Sequence, residues 1–237
     1  PVNRFILNRT GWVQVGSATL LVVIAVGALL TTDGEPMLER WVGFLFLVLL
    51  VAYLQTTYRW AKQSGDVIPV DDTEVEELMG LGKSWLLVVG GLLLVVAGAR
   101  VLVPAASEIA IRFGVPDDVI AATMVAFGTS LPELMTAIAA VRKGHPEITV
   151  GNIVGADVLN CLFVIGAAAA TSPLAIPSNF YYFHFPAMLV ILYSFRVFIS
   201  MNTAGVFHRW QGIWLLTVYG VYVLLQYALN IGSAHPV

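Results

Sequence analysis

The sequence predicts an all-α integral membrane protein with seven transmembrane helices. Three observations predict it. Hydrophobic residues make up 58% of the chain and charged residues 11%, where a soluble domain carries roughly a quarter charged. Seven stretches approach the roughly 20 apolar residues that a helix needs to cross a hydrocarbon core. Lysine and arginine gather on alternate connections between those stretches.

In chain order the predicted spans are 10–32, 39–60, 84–113, 116–142, 147–171, 180–200 and 210–231. The first follows Arg9, and Arg40 and Arg59 mark the two ends of the second. The polar stretch 61–84 (AKQSGDVIPVDDTEVEELMGLGKS) reads as a loop with one short amphipathic turn at most. The third span, 84–113, holds Arg100, which is expected to snorkel toward the outer surface rather than reach an acid. The fourth and fifth are joined by the short RKGHPE loop. The sixth opens on Tyr181, Tyr182, Phe183 and His184 after a proline-bearing connection, the composition of an interfacial aromatic belt. The seventh follows Arg209.

Cytoplasmic loops retain lysine and arginine. With a cytoplasmic amino terminus, Arg4, Arg9, Arg59, Lys62, Lys83, Arg142, Lys143 and Arg209 fall inside, while Arg40 and Arg112 fall outside. That eight-to-two bias, with seven spans, puts residues 232–237 on the far side. The expected location is the plasma (inner) membrane, with lipid as the surrounding partner.

A net charge of −3 offers no basic field for nucleic acid, and the single cysteine, Cys161, excludes a disulfide or thiolate-ligated zinc. No HExxH motif occurs, and Asp71-Asp72 and Asp117-Asp118 stand in loops without further acids at helical spacing, so an intramembrane enzyme is not expected. The acidic run Asp71, Asp72, Glu74, Glu76 and Glu77 lacks the glycine and spacing of an EF-hand and reads as solvated loop. His145 and His208 fall in loops. The chain opens on proline with no signal peptide ahead of its first apolar run, which suggests a fragment or a processed chain.

Two acids sit where acids are expensive. Glu133 and Asp157 lie in apolar runs, where an acid at a helix centre costs roughly 2.5–3.5 kcal/mol unless it faces a cavity, a partner or an ion path. Glu133 belongs to AFGTSLPEL (126–134), in which Pro132 removes a backbone donor and crowds the carbonyl four residues earlier, so the helix must kink or break. Loosened carbonyls at membrane depth can coordinate a hard cation. Thr129, Ser130 and Glu133 follow at i, i+1 and i+4, placing two hydroxyls within a turn of a carboxylate. Oxygen ligands of these kinds suit sodium, calcium or magnesium. The next span carries GNIVGADVLN (151–160), where Asn152, Ala156 and Asn160 recur every four residues, with Asp157 three before Asn160. Gly151 and Gly155 form a small-xxx-small surface that would let another helix approach closely.

GTSLPEL, followed by GNIVG with a polar residue five beyond its second glycine, resembles the second alpha-repeat of the calcium/cation antiporter superfamily, in its sodium/calcium exchanger branch. HRWQGIWLL at 208–216 and the kinked 84–113 helix are similar to that family's later helices. The resemblance implies a ten-helix fold of two inverted five-helix repeats with ions bound at the centre. Residues 1–60 would be the last two helices of the first half, 61–83 a cytoplasmic connecting loop, and 84–237 the second half. It implies Glu133 as a shared calcium and sodium ligand, oxygens from Thr129 and Ser130, the carbonyl of Ala126, and Asn160 as the other central side chain. Potassium-dependent relatives carry aspartate at that last position, so Asn160 implies potassium independence.

This sequence departs from the family in having Gly155-Ala156-Asp157 where GSN is usual, which removes a sodium-site hydroxyl and raises the expectation that Asp157 contributes instead. No first alpha-repeat is found in residues 1–115, GSATL at 16–20 being the nearest run and lacking both acid and proline. An upstream fragment or separate chain holding that repeat is therefore the expected partner. The expected function is sodium-driven calcium antiport without a cofactor. The alternatives are proton-coupled antiport of calcium or another divalent cation, and a non-transporting partner half.

Overall fold

Backbone amides in hydrocarbon have no water to bond, and a helix satisfies them within one segment. A computed structural model describes residues 4–32, 34–64, 81–115, 117–202 and 207–229 of the chain. Its helices are α1 (Arg4–Thr31), α2 (Arg40–Ser64), α3 (Leu81–Arg112), α4 (Asp117–Ile120), α5 (Ala126–Thr129), α6 (Leu131–Arg142), α7 (Pro146–Leu159), α8 (Gly166–Thr171), α9 (Phe185–Met201) and α10 (Arg209–Ala228). Three π-helical segments, Ala121–Val125, Asn160–Ile165 and Phe180–His184, join α4 to α5, α7 to α8, and lead into α9. The acidic run at 71–77 and the carboxyl terminus at 232–237 lie outside the described residues.

Among the described residues, five helices are long and apolar enough to cross a membrane, or six if the bent pair Thr123–Thr129 and Leu131–Arg142 counts as one span. The seventh predicted stretch is helical as α10 but falls outside this count, because Gln211, Thr217, Tyr219, Tyr222 and Gln226 dilute its apolar residues.

The chain divides into two compact units, residues 1–64 with 140–222, and residues 65–139 with 223–237. In the first, α1 packs on α7 and α9, and α2 packs along α8 and the π-segment Asn160–Ile165. Leu21, Ala25, Phe46, Val158, Leu162 and Ala169 fill the space between them. The α2–α8 crossing is close enough to require glycine. A Cβ on Gly43 would stand 2.2 Å from the Ala170 nitrogen and 2.6 Å from the Gly166 oxygen. This is small-residue packing of the kind that holds helices together in lipid. The same role was expected of Gly151 and Gly155. A Cβ at either would meet nothing within 4 Å among the described residues, because α7 turns Val150, Val154 and Val158 inward and presents the two glycines elsewhere. At one end of this unit the α1–α2 and α8–α9 connections are clasped by a two-residue antiparallel pairing, Met37 with Ala175 and Leu38 with Leu174. His184, in the predicted aromatic belt, is hydrogen bonded to Tyr222 at 2.8 Å.

In the second unit the 32-residue α3 continues through Pro104 and packs on α5 and the π-segment Ala121–Val125. Here too a glycine sets the approach, since a Cβ on Gly128 would fall 1.9 Å from Val103 Cγ2.

Candidate functional site

The helix break foreseen at Pro132 is present. The segments Thr123–Thr129 and Leu131–Arg142 meet at 57°, with Ser130 between them at φ −92°, ψ 6°. Pro132 has no N–H to return to Gly128, so the ladder is interrupted there. As the second residue of α6 the proline is well tolerated, because first-turn N–H groups lack intrahelical acceptors anyway. The carbonyl of Ala126 accepts from the Ser130 N–H at 3.1 Å and from Thr129 Oγ1 at 3.0 Å. Ser130's own carbonyl accepts from the Leu134 N–H at 3.0 Å.

Glu133 lies half-buried in the first turn of α6, where the exposed N–H dipoles of a helix start favour negative charge. Thr129 and Ser130 are exposed. On one continuous helix Thr129 and Glu133 would stand at i and i+4. The break changes that geometry, because Thr129 closes α5 while Glu133 opens α6. What the junction gathers is a carboxylate, two hydroxyls and backbone oxygens around an interrupted helix, all hard donors suited to sodium or calcium.

Asp157 and Asn160 lie in the other unit. Gly144, at φ +82°, makes the turn into α7 that a side chain would strain, and Pro146 starts the helix. Asp157 stands beside the buried Val154 and Val158 on the face that meets α1, where its Oδ2 accepts a hydrogen bond from Gln14 Nε2. Gln14 is 1% exposed, its Oε1 has no hydrogen-bond partner among the described residues, and its backbone carbonyl accepts from Ser17 Oγ at 2.9 Å. Asn160 is exposed and is the first residue of the π-segment.

The structure thus brings Ala126, Thr129, Ser130 and Glu133 to one helix break, and it brings Asp157 to Gln14. The two groups belong to different units. Gln14 was missed in the sequence. Its signal was a glutamine and a serine, Gln14 and Ser17, three apart on one face of an otherwise apolar span. Among the described residues no three of His, Cys, Asp and Glu come together.

A family profile described as sodium/calcium exchanger protein matches residues 83–228. The sodium/calcium exchanger MaX1 of Methanosarcina acetivorans is 33% identical over 133 residues, covering 56% of this chain and 37% of that protein. The inner membrane protein YrbG of Escherichia coli is 34% identical over 184 residues, covering 75% of this chain and 55% of that one. Among solved structures, the sodium-calcium exchanger NCX_Mj, soaked with sodium and strontium, superposes with a TM-score of 0.66 at 26% identity. That match covers 92% of this chain and 65% of the other. The chain therefore spans between about a third and two thirds of the length of these relatives.

Proposed function

This chain belongs to the sodium/calcium exchanger family, and we propose that it forms the second half of a secondary active antiporter that moves calcium one way across a membrane while sodium moves the other. The family is one of membrane ion transporters and not of enzymes, and the chain is a multi-pass integral membrane protein. The observation that carries the reading is the 57° break between Thr129 and Leu131 with Glu133 in the turn that follows. A carboxylate at the start of a broken helix, flanked by Thr129, Ser130 and the Ala126 carbonyl, offers charge and hard oxygens at membrane depth without a cofactor.

Antiport follows from sharing. If Glu133 is a ligand for both cations, one carboxylate cannot serve calcium and sodium at full strength together, so each ion weakens the other's hold. A site opening alternately to the two sides then exchanges them, since differential binding to its states is what shifts the equilibrium. In the full reading, residues 1–60 close a first repeat and α3 to α10 form a second, making seven of ten spans. A first alpha-repeat supplied by an upstream segment or a separate chain completes the site. Asn160 leaves transport independent of potassium, because an amide adds no charge for a second monovalent ion. The amino-terminal end of the chain faces the cytoplasm of the plasma (inner) membrane, on the strength of the arginine and lysine bias.

The pairing of Asp157 with Gln14 favours a second reading, proton-coupled antiport of a divalent cation, because it holds an extra intramembrane carboxyl near Asn160. Calcium uptake into vesicles under a sodium gradient or a proton gradient separates the two. Glu133→Gln keeps the side-chain volume and removes the charge. It is expected to abolish uptake while the protein still inserts, and near-normal uptake would remove this helix from the ion site. Failure of both gradients to drive uptake would favour the non-transporting partner half. Intact-mass measurement of the purified protein tests for a companion chain of roughly 70–90 residues, the size of three spans with their loops.

A further inference from the structure

Arg196 lies near the end of α9 and is 5% exposed. Its Nη2 donates to Asn8 Oδ1, and its guanidinium carbon sits 4.5 Å from the centre of the Trp12 ring. Gly11 leaves room for the stem, since a Cβ there would come 3.3 Å from Arg196 Cδ. Among the described residues Nε and Nη1 have no hydrogen-bond partner. No carboxylate neutralises the group among the described residues, and the sequence holds no Asp or Glu before Asp33 or after Asp157. A ring face attracts a cation but accepts only weakly from its N–H groups. A buried guanidinium with two idle nitrogens and no counter-charge is an arrangement proteins seldom leave unanswered.

The position says what answers it. Asn8 opens the span Asn8–Thr31 and Arg196 lies close to the end of Phe180–Met201, so the cluster is at headgroup depth. Arg9, stacked over Trp60 at 5.0 Å, shares that end. Trp12 is 59% exposed and gives glycerol and acyl chains an apolar surface beside the charge.

We propose that Arg196, Asn8 and Trp12 form a binding site for the phosphate of an anionic phospholipid. The headgroup displaces the Trp12 ring from the guanidinium and accepts from the idle donors, a charge-assisted bond for which arginine is well suited.

The test reconstitutes the chain in vesicles of mixed phosphatidylcholine and phosphatidylglycerol, releases it gently, and counts retained lipids by native mass spectrometry. Phosphatidylglycerol should be retained about fivefold over phosphatidylcholine, the preference one basic residue supports near an anionic surface. Arg196→Gln should abolish that preference, and Arg196→Lys, which keeps charge but loses the fork, should at least halve it. Equal retention of the two lipids by the unaltered chain overturns the proposal. So does an undiminished preference in Arg196→Lys, which keeps the test decisive even if Arg196→Gln fails to fold. Competition by inorganic phosphate that removes the preference would show a free-anion site instead. Loss of the preference when the chain is joined to a first repeat would show that a protein group takes the place, and either result overturns the lipid assignment.

Discussion

Replacing Gln14 with leucine removes the donor from Asp157 while keeping an apolar side chain of similar length between α1 and α7. Two opposing effects follow. The Asp157 carboxylate loses its bond from Nε2, and a hydrogen bond to a charged group contributes about 1.5–3 kcal/mol. The amide oxygen Oε1, buried without a partner, disappears as well, which returns about 1 kcal/mol or more. The net loss for Gln14→Leu is therefore about 1 kcal/mol, too small to interpret alone. A double-mutant cycle with Asp157→Leu isolates the bond, because the Oε1 contribution appears in both arms and cancels. The expected coupling is about 2 kcal/mol, close to thirtyfold in the unfolding equilibrium, read from reversible unfolding in mixed micelles. Neutral side-chain bonds between membrane helices average only about 0.6 kcal/mol. Coupling at or below that value would refute a charge-assisted bond between Gln14 and Asp157.

Gly43→Ala should lower the melting temperature, because its Cβ would meet backbone atoms of α8 that cannot rotate away. The overpacking penalty of about 1–3 kcal/mol exceeds the roughly 1 kcal/mol that alanine adds to a helix, and Gly151→Ala, with open space around it, should not destabilise. Gly128→Ala should destabilise by a similar amount, but Val103→Ala in the same protein should restore most of the loss, since the collision is with one side-chain methyl at 1.9 Å. Asn160→Asp should make calcium transport respond to potassium. An unaltered protein that transports only when potassium is present would contradict the role given to Asn160.

The helices were legible because hydrocarbon leaves a chain few other choices. The predicted 39–60 and 84–113 became Arg40–Ser64 and Leu81–Arg112, the lengthening falling in polar flanks where hydropathy carries no signal. The break was legible because proline acts through its own ring and missing N–H, a strictly local cause. Gln14 was not, since its partner lies 143 residues away and periodicity is silent on such distances. Gly151 and Gly155 meet no neighbour among the described residues of this chain. Spacing shows that a close approach is possible, whereas its location depends on which face the neighbours cover, and here the approach is at Gly43 and Gly166. The β1–β2 clasp, Met37–Leu38 with Leu174–Ala175, is too short to leave a pattern in composition.

The π-segment Asn160–Ile165 bears on how the chain tolerates changes in length. A helix closed by i→i+5 bonds holds one residue more per turn than its α counterpart. Upstream of it α7 meets α1 through Asp157 and Gln14, and downstream α8 meets α2 through Gly166 and Gly43. Deleting one residue from 161–165 would let the stretch close as an ordinary α-helix with its backbone bonds intact and the two contacts still in phase, because the wide turn carries its extra residue without adding rotation. The wide turn therefore works as slack in the length of a single continuous span that answers two neighbours. A one-residue deletion there should leave both contacts in place, whereas an added residue should turn one contact against the other by about 100°, the angle of one residue in 3.6 per turn, and disrupt packing at one end.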